Sequence, residues 1–100
     1  MKVKFKNDTV KSCTAPTEQK VFRGDNGAGW ILLLNLIGEI SSAALDEILT
    51  AENISELTFL TDEDEEISTA NGYDKVSSCT IRHAERPQDT RAEIQLTKGV

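Results

Sequence analysis

The chain has 100 residues, 38% of them hydrophobic, and a net charge of -6, a size that supports one core and leaves no room for a second domain. Its apolar residues gather into runs such as Trp30 to Leu34 and Leu57 to Leu60, which argues against intrinsic disorder. The longest stretch, Trp30 to Ile37, is broken by Asn35 and falls far short of the roughly 20 residues a bilayer span needs. The acidic balance repels phosphates, so neither nucleic acid nor a membrane is expected as a partner.

In chain order, Val3 and Phe5 alternate with Lys2, Lys4 and Lys6, Asn7-Asp8 supplies a turn, and Thr9 to Thr14 resumes extended structure, which together read as an opening hairpin. Pro16 marks a break. Residues 18 to 23 offer a third strand in which Val21 and Phe22 cannot both face the core. After the glycine loop 24–29, Trp30 to Leu36 is apolar at nearly every position, the pattern of a strand covered on both faces.

Ser41 or Ser42 can cap a helix, with Asp46 and Glu47 placed near its start, where the helix dipole favours acids. Ala44, Leu45, Ile48 and Leu49 form one apolar stripe, giving a short helix over about 42–52. A meander of strands is then expected. Leu57 and Phe59 alternate, Asp62 to Glu66 turns, Ile67 resumes, Asn71-Gly72 turns or bulges, and Val76 to His83 is extended. Beyond a loop from Glu85 to Asp89, Ala92, Ile94 and Leu96 alternate with Arg91, Glu93 and Gln95, the cleanest strand pattern in the chain. The sum is a single α+β domain over residues 1–100, a mostly antiparallel sheet or open barrel of seven to eight short strands with one short helix.

The motifs that could carry chemistry are weak. Gly24 to Gly29 has the spacing G-x-x-G-x-G, but phosphate cradles lead into a helix and this loop leads into a strand pattern. The acidic run Asp62-Glu63-Asp64-Glu65-Glu66 invites a calcium reading, yet an EF-hand loop starting there would need Gly and Glu where Ile67 and Tyr73 stand. A solvated turn that protects a sheet edge is the simpler reading. The alternative function that remains is a small-ligand or metal-binding domain using the acidic turn 62–66 or the glycine loop.

Cys13 and Cys79 lie 66 positions apart, with His83 the one histidine, too few ligands for a tetrahedral zinc site without carboxylates. On one strand, Cys79 and His83 would stand about 13 Å apart, beyond the reach that nucleophile activation requires. No catalytic set, cofactor or metal site emerges, and the chain reads as non-enzymatic. The lysines that alternate with Val3 and Phe5 are unlike a signal peptide, so a cytoplasmic chain with reduced cysteines is expected. In that setting the Asn-x-Ser/Thr matches at Asn7 and Asn53 carry no glycan.

Residues 51–100 hold eleven acidic and five basic side chains against six of each in residues 1–50. Trp30 and Tyr73 are the large amphipathic aromatics, suited either to the core or to an interface, and Arg82 and Arg86 join them as candidate interface residues. A protein partner or self-association is the expected interaction, through a strand edge that another strand could extend.

The order Ala44-Leu45-Asp46-Glu47-Ile48-Leu49, Ile54-Ser55-Glu56-Leu57-Thr58-Phe59, an acidic turn, Asn71-Gly72-Tyr73 and Ala92-Glu93-Ile94-Gln95-Leu96-Thr97-Lys98 resembles small proteins of tailed phages and prophages encoded among tail and head-tail genes. The resemblance covers residues 42–98 and leaves residues 1–41 unmatched. It implies a structural or assembly component of a virion, acting as a ring or paired with another virion protein, and it carries over no functional residues.

Overall fold

The computed structural model describes residues 1–22 and 27–99. β1 (Lys2–Lys4) and β2 (Val10–Ser12) form the opening hairpin, and β3 (Thr17–Phe22) and β4 (Ala28–Ile37) form a longer one. Helix α1 (Ser42–Ile48) follows, then a 3₁₀ turn at Asn53–Ser55, β5 (Glu56–Leu60), β6 (Glu66–Asn71) and β7 (Lys75–Arg82). A second 3₁₀ turn at Pro87–Asp89 leads into β8 (Arg91–Lys98).

The eight strands make two antiparallel sheets of order β2-β1-β5-β6 and β3-β4-β8-β7, and neither closes into a barrel. One core joins them. Val3, Phe5, Leu57 and Phe59 of the first sheet side meet Leu32, Leu34, Leu36, Ala92, Ile94 and Leu96 of the second in a single buried cluster, with Leu45, Ile48 and Ile54 alongside. Alternation at period two selects these residues: β4, β5 and β8, and the segment of Val3 and Phe5, send every second side chain inward.

The chain passes from the first sheet to the second beside β4, where Cys13 pairs with Leu36 and the Thr14 amide donates to the Asn35 carbonyl. The helix and the first 3₁₀ turn carry it back to the first sheet at β5, and it crosses a third time between β6 and β7, so the expected meander is interrupted there. Gly72 makes that crossing with φ 87°, a conformation that disfavours side chains bearing a Cβ, and its amide donates to the Ser55 carbonyl.

Two local expectations are corrected. The helix stops at Ile48 rather than near residue 52, because the buried Asn53 side chain donates from Nδ2 to the Ile48 carbonyl at 2.8 Å and closes the helix end. Ser41 is the N-cap, accepting from the Ala44 amide at 3.2 Å, so Asp46 and Glu47 stand in the last turn, not the first, where the dipole disfavours them.

β4 is covered on one face only. Leu32, Leu34 and Leu36 are buried, whereas Leu33 is 37% exposed and Ile31 and Ile37 are half-buried. Consecutive apolar residues in this strand thus reflect one sealed face and one that stays partly wet.

Candidate interaction surface

Tyr73, Glu18 and Lys98 tie the start of β7 to the two strands beside β4. Tyr73 sits just before β7 with no exposed area, and its hydroxyl donates to Glu18 Oε2 on β3 at 2.5 Å. Lys98 Nζ lies 4.6 Å from the centre of its ring and donates to the Asn71 carbonyl at 2.6 Å. Burial first, then the adjacent Glu18 carboxylate, pushes the Tyr73 phenol well above its ordinary value, so at neutral pH it remains a donor. An expected alternative is thereby resolved: Tyr73 is a core residue with its polar tip satisfied.

The same end carries the chain's most exposed large hydrophobic side chain among the described residues. The register Lys20↔Trp30 and Phe22↔Ala28 places Glu18, Lys20 and Phe22 on one face of β3, with Val21 on the other. Phe22 is nevertheless 74% exposed, and Trp30 is only half-buried, because this part of the hairpin runs past the packed layer that covers Leu32 onward. Lys20 Nζ lies 5.3 Å from the Phe22 ring centre and 6.0 Å from that of Trp30, distances at which a cation is attracted to the ring face. Residues 24–26 of the glycine loop lie outside the described residues. Gly27 has φ 96° and Gly29 is already within β4.

Arg82 and Arg86 are elsewhere. β7 runs from the Tyr73 end to Arg82, about 23 Å away at 3.3 Å per residue, and Arg86 lies beyond it before the second 3₁₀ turn. Arg82 is exposed and donates from Nε to Glu93 Oε1 at 2.9 Å across the β7-β8 ladder. The four candidate interface residues therefore divide between opposite ends of the second sheet, and only Trp30 and Tyr73 share a region.

Neither cysteine is bonded. Cys13 pairs with β4 and Cys79 with β8, which puts three strand spacings, about 14 Å, between their strands, too far for a disulfide. Burial raises the Cys13 thiol above its ordinary range, and partial desolvation against its neighbours followed by the Asp46 carboxylate raises that of Cys79, which is otherwise exposed. Both are held as thiols, the poorly nucleophilic form. Cys79 lines an open cleft of about 330 Å³ between α1 and β7, with Leu45, Asp46, Leu49, Val76 and Ile81. His83 lies in a separate cleft with Ser41, Pro87 and Thr90.

In the acidic turn, Asp62 accepts from the Met1 amino group at 2.7 Å and Asp64 from Lys2 Nζ at 2.9 Å. The amino group holds the Asp62 carboxyl below its ordinary value, and Asp64 raises Lys2. Among the described residues, no three His, Cys, Asp or Glu side chains converge as metal ligands. Among the described residues, no helix is long and apolar enough to cross a membrane.

Asn53 is a polar centre that the sequence pattern does not advertise. Besides capping α1, its Oδ1 accepts from the Asn7 amide at 2.8 Å, its carbonyl from the Lys6 amide at 3.2 Å, and its own amide donates to Thr50 Oγ1 at 3.2 Å. One buried side chain thus fastens the β1-β2 turn to the helix end.

Compared with known proteins, the chain matches no family model, and no curated protein or solved structure proves similar to it.

Proposed function

We propose that this chain is a non-enzymatic protein-protein interaction or assembly module. The observation that carries this reading is the outer edge of β3: six residues in unbroken register with β4, unpaired on their other side, ending in the exposed Phe22. An edge of this kind offers backbone donors and acceptors to an added strand, and a large exposed apolar side chain at its end supplies the area that such pairing lacks alone. The resemblance of residues 42–98 to small tail and head-tail proteins of phages supports the same reading and suggests a virion structural or assembly component as its specific form.

The experiment is solution mass by size-exclusion chromatography with light scattering at two salt concentrations, paired with capture of binding proteins on immobilised chain. An assembly module gives a mass above 11.0 kDa or retains a partner, and Phe22→Ser reduces whichever is seen. A strict monomer that retains nothing overturns the reading.

A further inference from the structure

The four sheet edges are not equivalent. β2 has three residues, too short to template a long partner. β6 follows the acidic run and pairs with β5 through a shift at Phe59/Leu60, and the β7-β8 ladder is broken by a bulge between Val76 and Ser78. Short length, charge and bulges are the devices by which natural sheets blunt their edges. β3 alone among these edges combines six residues with an uninterrupted register. What it carries instead is a pair of opposite charges two positions apart on one face, Glu18 and Lys20.

We infer that the partner of the β3 edge is the β3 edge of a second copy of this chain, joined antiparallel about a two-fold axis at Gln19; this rests on the assembly reading above and names its partner. A two-fold axis perpendicular to a sheet keeps each residue on its own face, so opposed residues must have the same parity. With the axis at Gln19, Glu18 of each copy opposes Lys20 of the other, Thr17 opposes Val21, and Phe22 opposes Pro16. Moving the axis to Glu18 or to Lys20 sets like charges directly opposite, Glu18 on Glu18 or Lys20 on Lys20, which destabilises a cross-strand pair. An axis at Val21 leaves only Lys20, Val21 and Phe22 within the strand to pair. Charge and paired length together therefore select the register at Gln19.

Three further observations fit that register. Glu18 uses Oε2 for the Tyr73 hydroxyl, which leaves Oε1 for the opposing lysine and holds the carboxylate in place. Phe22, otherwise 74% exposed, gains an apolar neighbour in Pro16 of the other copy. Pro16 has no amide hydrogen, so the ladder ends there on both sides. The paired segment is short compared with the roughly 1,200 Å² total that stable interfaces bury. The pair accordingly forms reversibly, and its fraction rises with concentration.

A charge-swap series read by light scattering across a concentration range tests this. Glu18→Lys and Lys20→Glu each set like charges together at both symmetry-related pairs and weaken the dimer by about tenfold or more. The double variant Glu18→Lys/Lys20→Glu restores it. An equimolar mixture of the two single variants forms a heterodimer that neither makes alone. Because the double variant also lacks the Tyr73 partner, loss of that hydrogen bond cannot explain a difference between it and Glu18→Lys; circular dichroism checks that each variant folds. Independently, Gln19→Cys in a Cys79→Ser background crosslinks to a dimer on mild oxidation, since directly opposed residues stand about 4.5–5.5 Å apart at Cα, within disulfide range.

A wild-type chain that stays monomeric overturns the inference, and capture on the immobilised protein then decides separately whether the assembly reading survives. An oligomer indifferent to the charge swaps, or a double variant as weak as the singles, overturns the β3 register while leaving the assembly reading in place.

Discussion

The corner around Asn53 and the hairpin end around Tyr73 are built from the same materials, one buried polar side chain and the strands it ties together, yet they differ in where their bonds lead. Asn53 directs its side-chain bonds inward or to neighbouring backbone: to the end of α1 and to the β1-β2 turn. Tyr73 instead bonds to Glu18, a carboxylate exposed on an edge strand, beside Lys20 and Phe22, which also face water. The contrast separates a joint that holds the fold from a joint that holds a surface in a set geometry. Substitutions at the first should cost stability, and those at the second should cost association.

The largest effect is expected at the inward joint. Asn53→Ala removes the donor to the buried Ile48 carbonyl and the acceptor of the Asn7 amide, leaving partners that the fold no longer satisfies, and should lower stability by about 2–3 kcal/mol. For a domain of this size that lowers Tm by roughly 10–20 °C, readable by thermal circular dichroism. Asn53→Asp is a sharper version: it keeps an acceptor for Asn7 but loses the donor to Ile48, so it should recover only part of the loss. A change under about 0.5 kcal/mol in Asn53→Ala would erase the distinction between the two joints.

Tyr73 comes next. Tyr73→Phe keeps the ring in the core and removes the bond to Glu18, whose carboxylate is open to solvent and can be rehydrated, so a loss of about 1 kcal/mol is expected. The pH dependence has a defined sign. The folded phenol holds its proton above the ordinary value of 10.0, so its contribution is complete below pH 10. Above that the unfolded chain sheds the proton and the folded one does not, and stability falls by about 1.4 kcal/mol per pH unit. Tyr73 is the only tyrosine, which makes the ultraviolet phenolate signal specific: it should appear only as the protein unfolds. Phenolate absorbance near pH 10 with intact circular dichroism would show that the Glu18 bond does not hold this end as described.

What the sequence disclosed and what it withheld follow the same division between near and far. The β1-β2 hairpin, the Ser41 cap and the alternation of Ala92, Ile94 and Leu96 depend on neighbours a few positions away, and all three are legible in the chain itself. The role of Asn53 depends on Asn7, 46 positions distant, and no local pattern distinguishes it from any polar residue after a helix. Asp46 and Glu47 fall in the last turn for a nearer reason: Asn53, five positions beyond Ile48, closes the helix there, and a polar residue after an apolar stripe does not mark itself as a cap. The switch of sheets at Gly72 was likewise invisible, since Asn71-Gly72 suits a turn within one sheet as well as a crossing between two.

The candidate surface was half legible. Trp30 and Tyr73 stand out as amphipathic aromatics, but Arg82 and Arg86 prove to lie at the far end of β7, a separation that only strand order reveals. Phe22 was missed as an exposed residue because its strand pattern gives its face and not the point where the opposite layer stops. A usable signal was present in the alternation of Glu18, Lys20 and Phe22: two charged residues on the face that also carries the phenylalanine mark that face as one the fold does not fully cover.

The smallest effect on stability is expected at Phe22, and it separates the two regions most directly. The ring is mostly in water and meets Lys20 at 5.3 Å, a contact worth about 0.5–1 kcal/mol at most on an exposed surface. Phe22→Ser removes that contact but also removes exposed apolar area and keeps a residue tolerant of strands, so Tm should move by only a few degrees in either direction. Any mass above the monomer should nevertheless decline. The comparison to make is therefore a pair of ratios, association lost against stability lost, for Phe22→Ser and Asn53→Ala. If the hairpin end is a surface, Phe22→Ser loses association without stability and Asn53→Ala the reverse. If Phe22→Ser instead lowers Tm as much as Asn53→Ala does, the ring is covered within the chain in solution, and the hairpin end belongs to the fold and not to a partner.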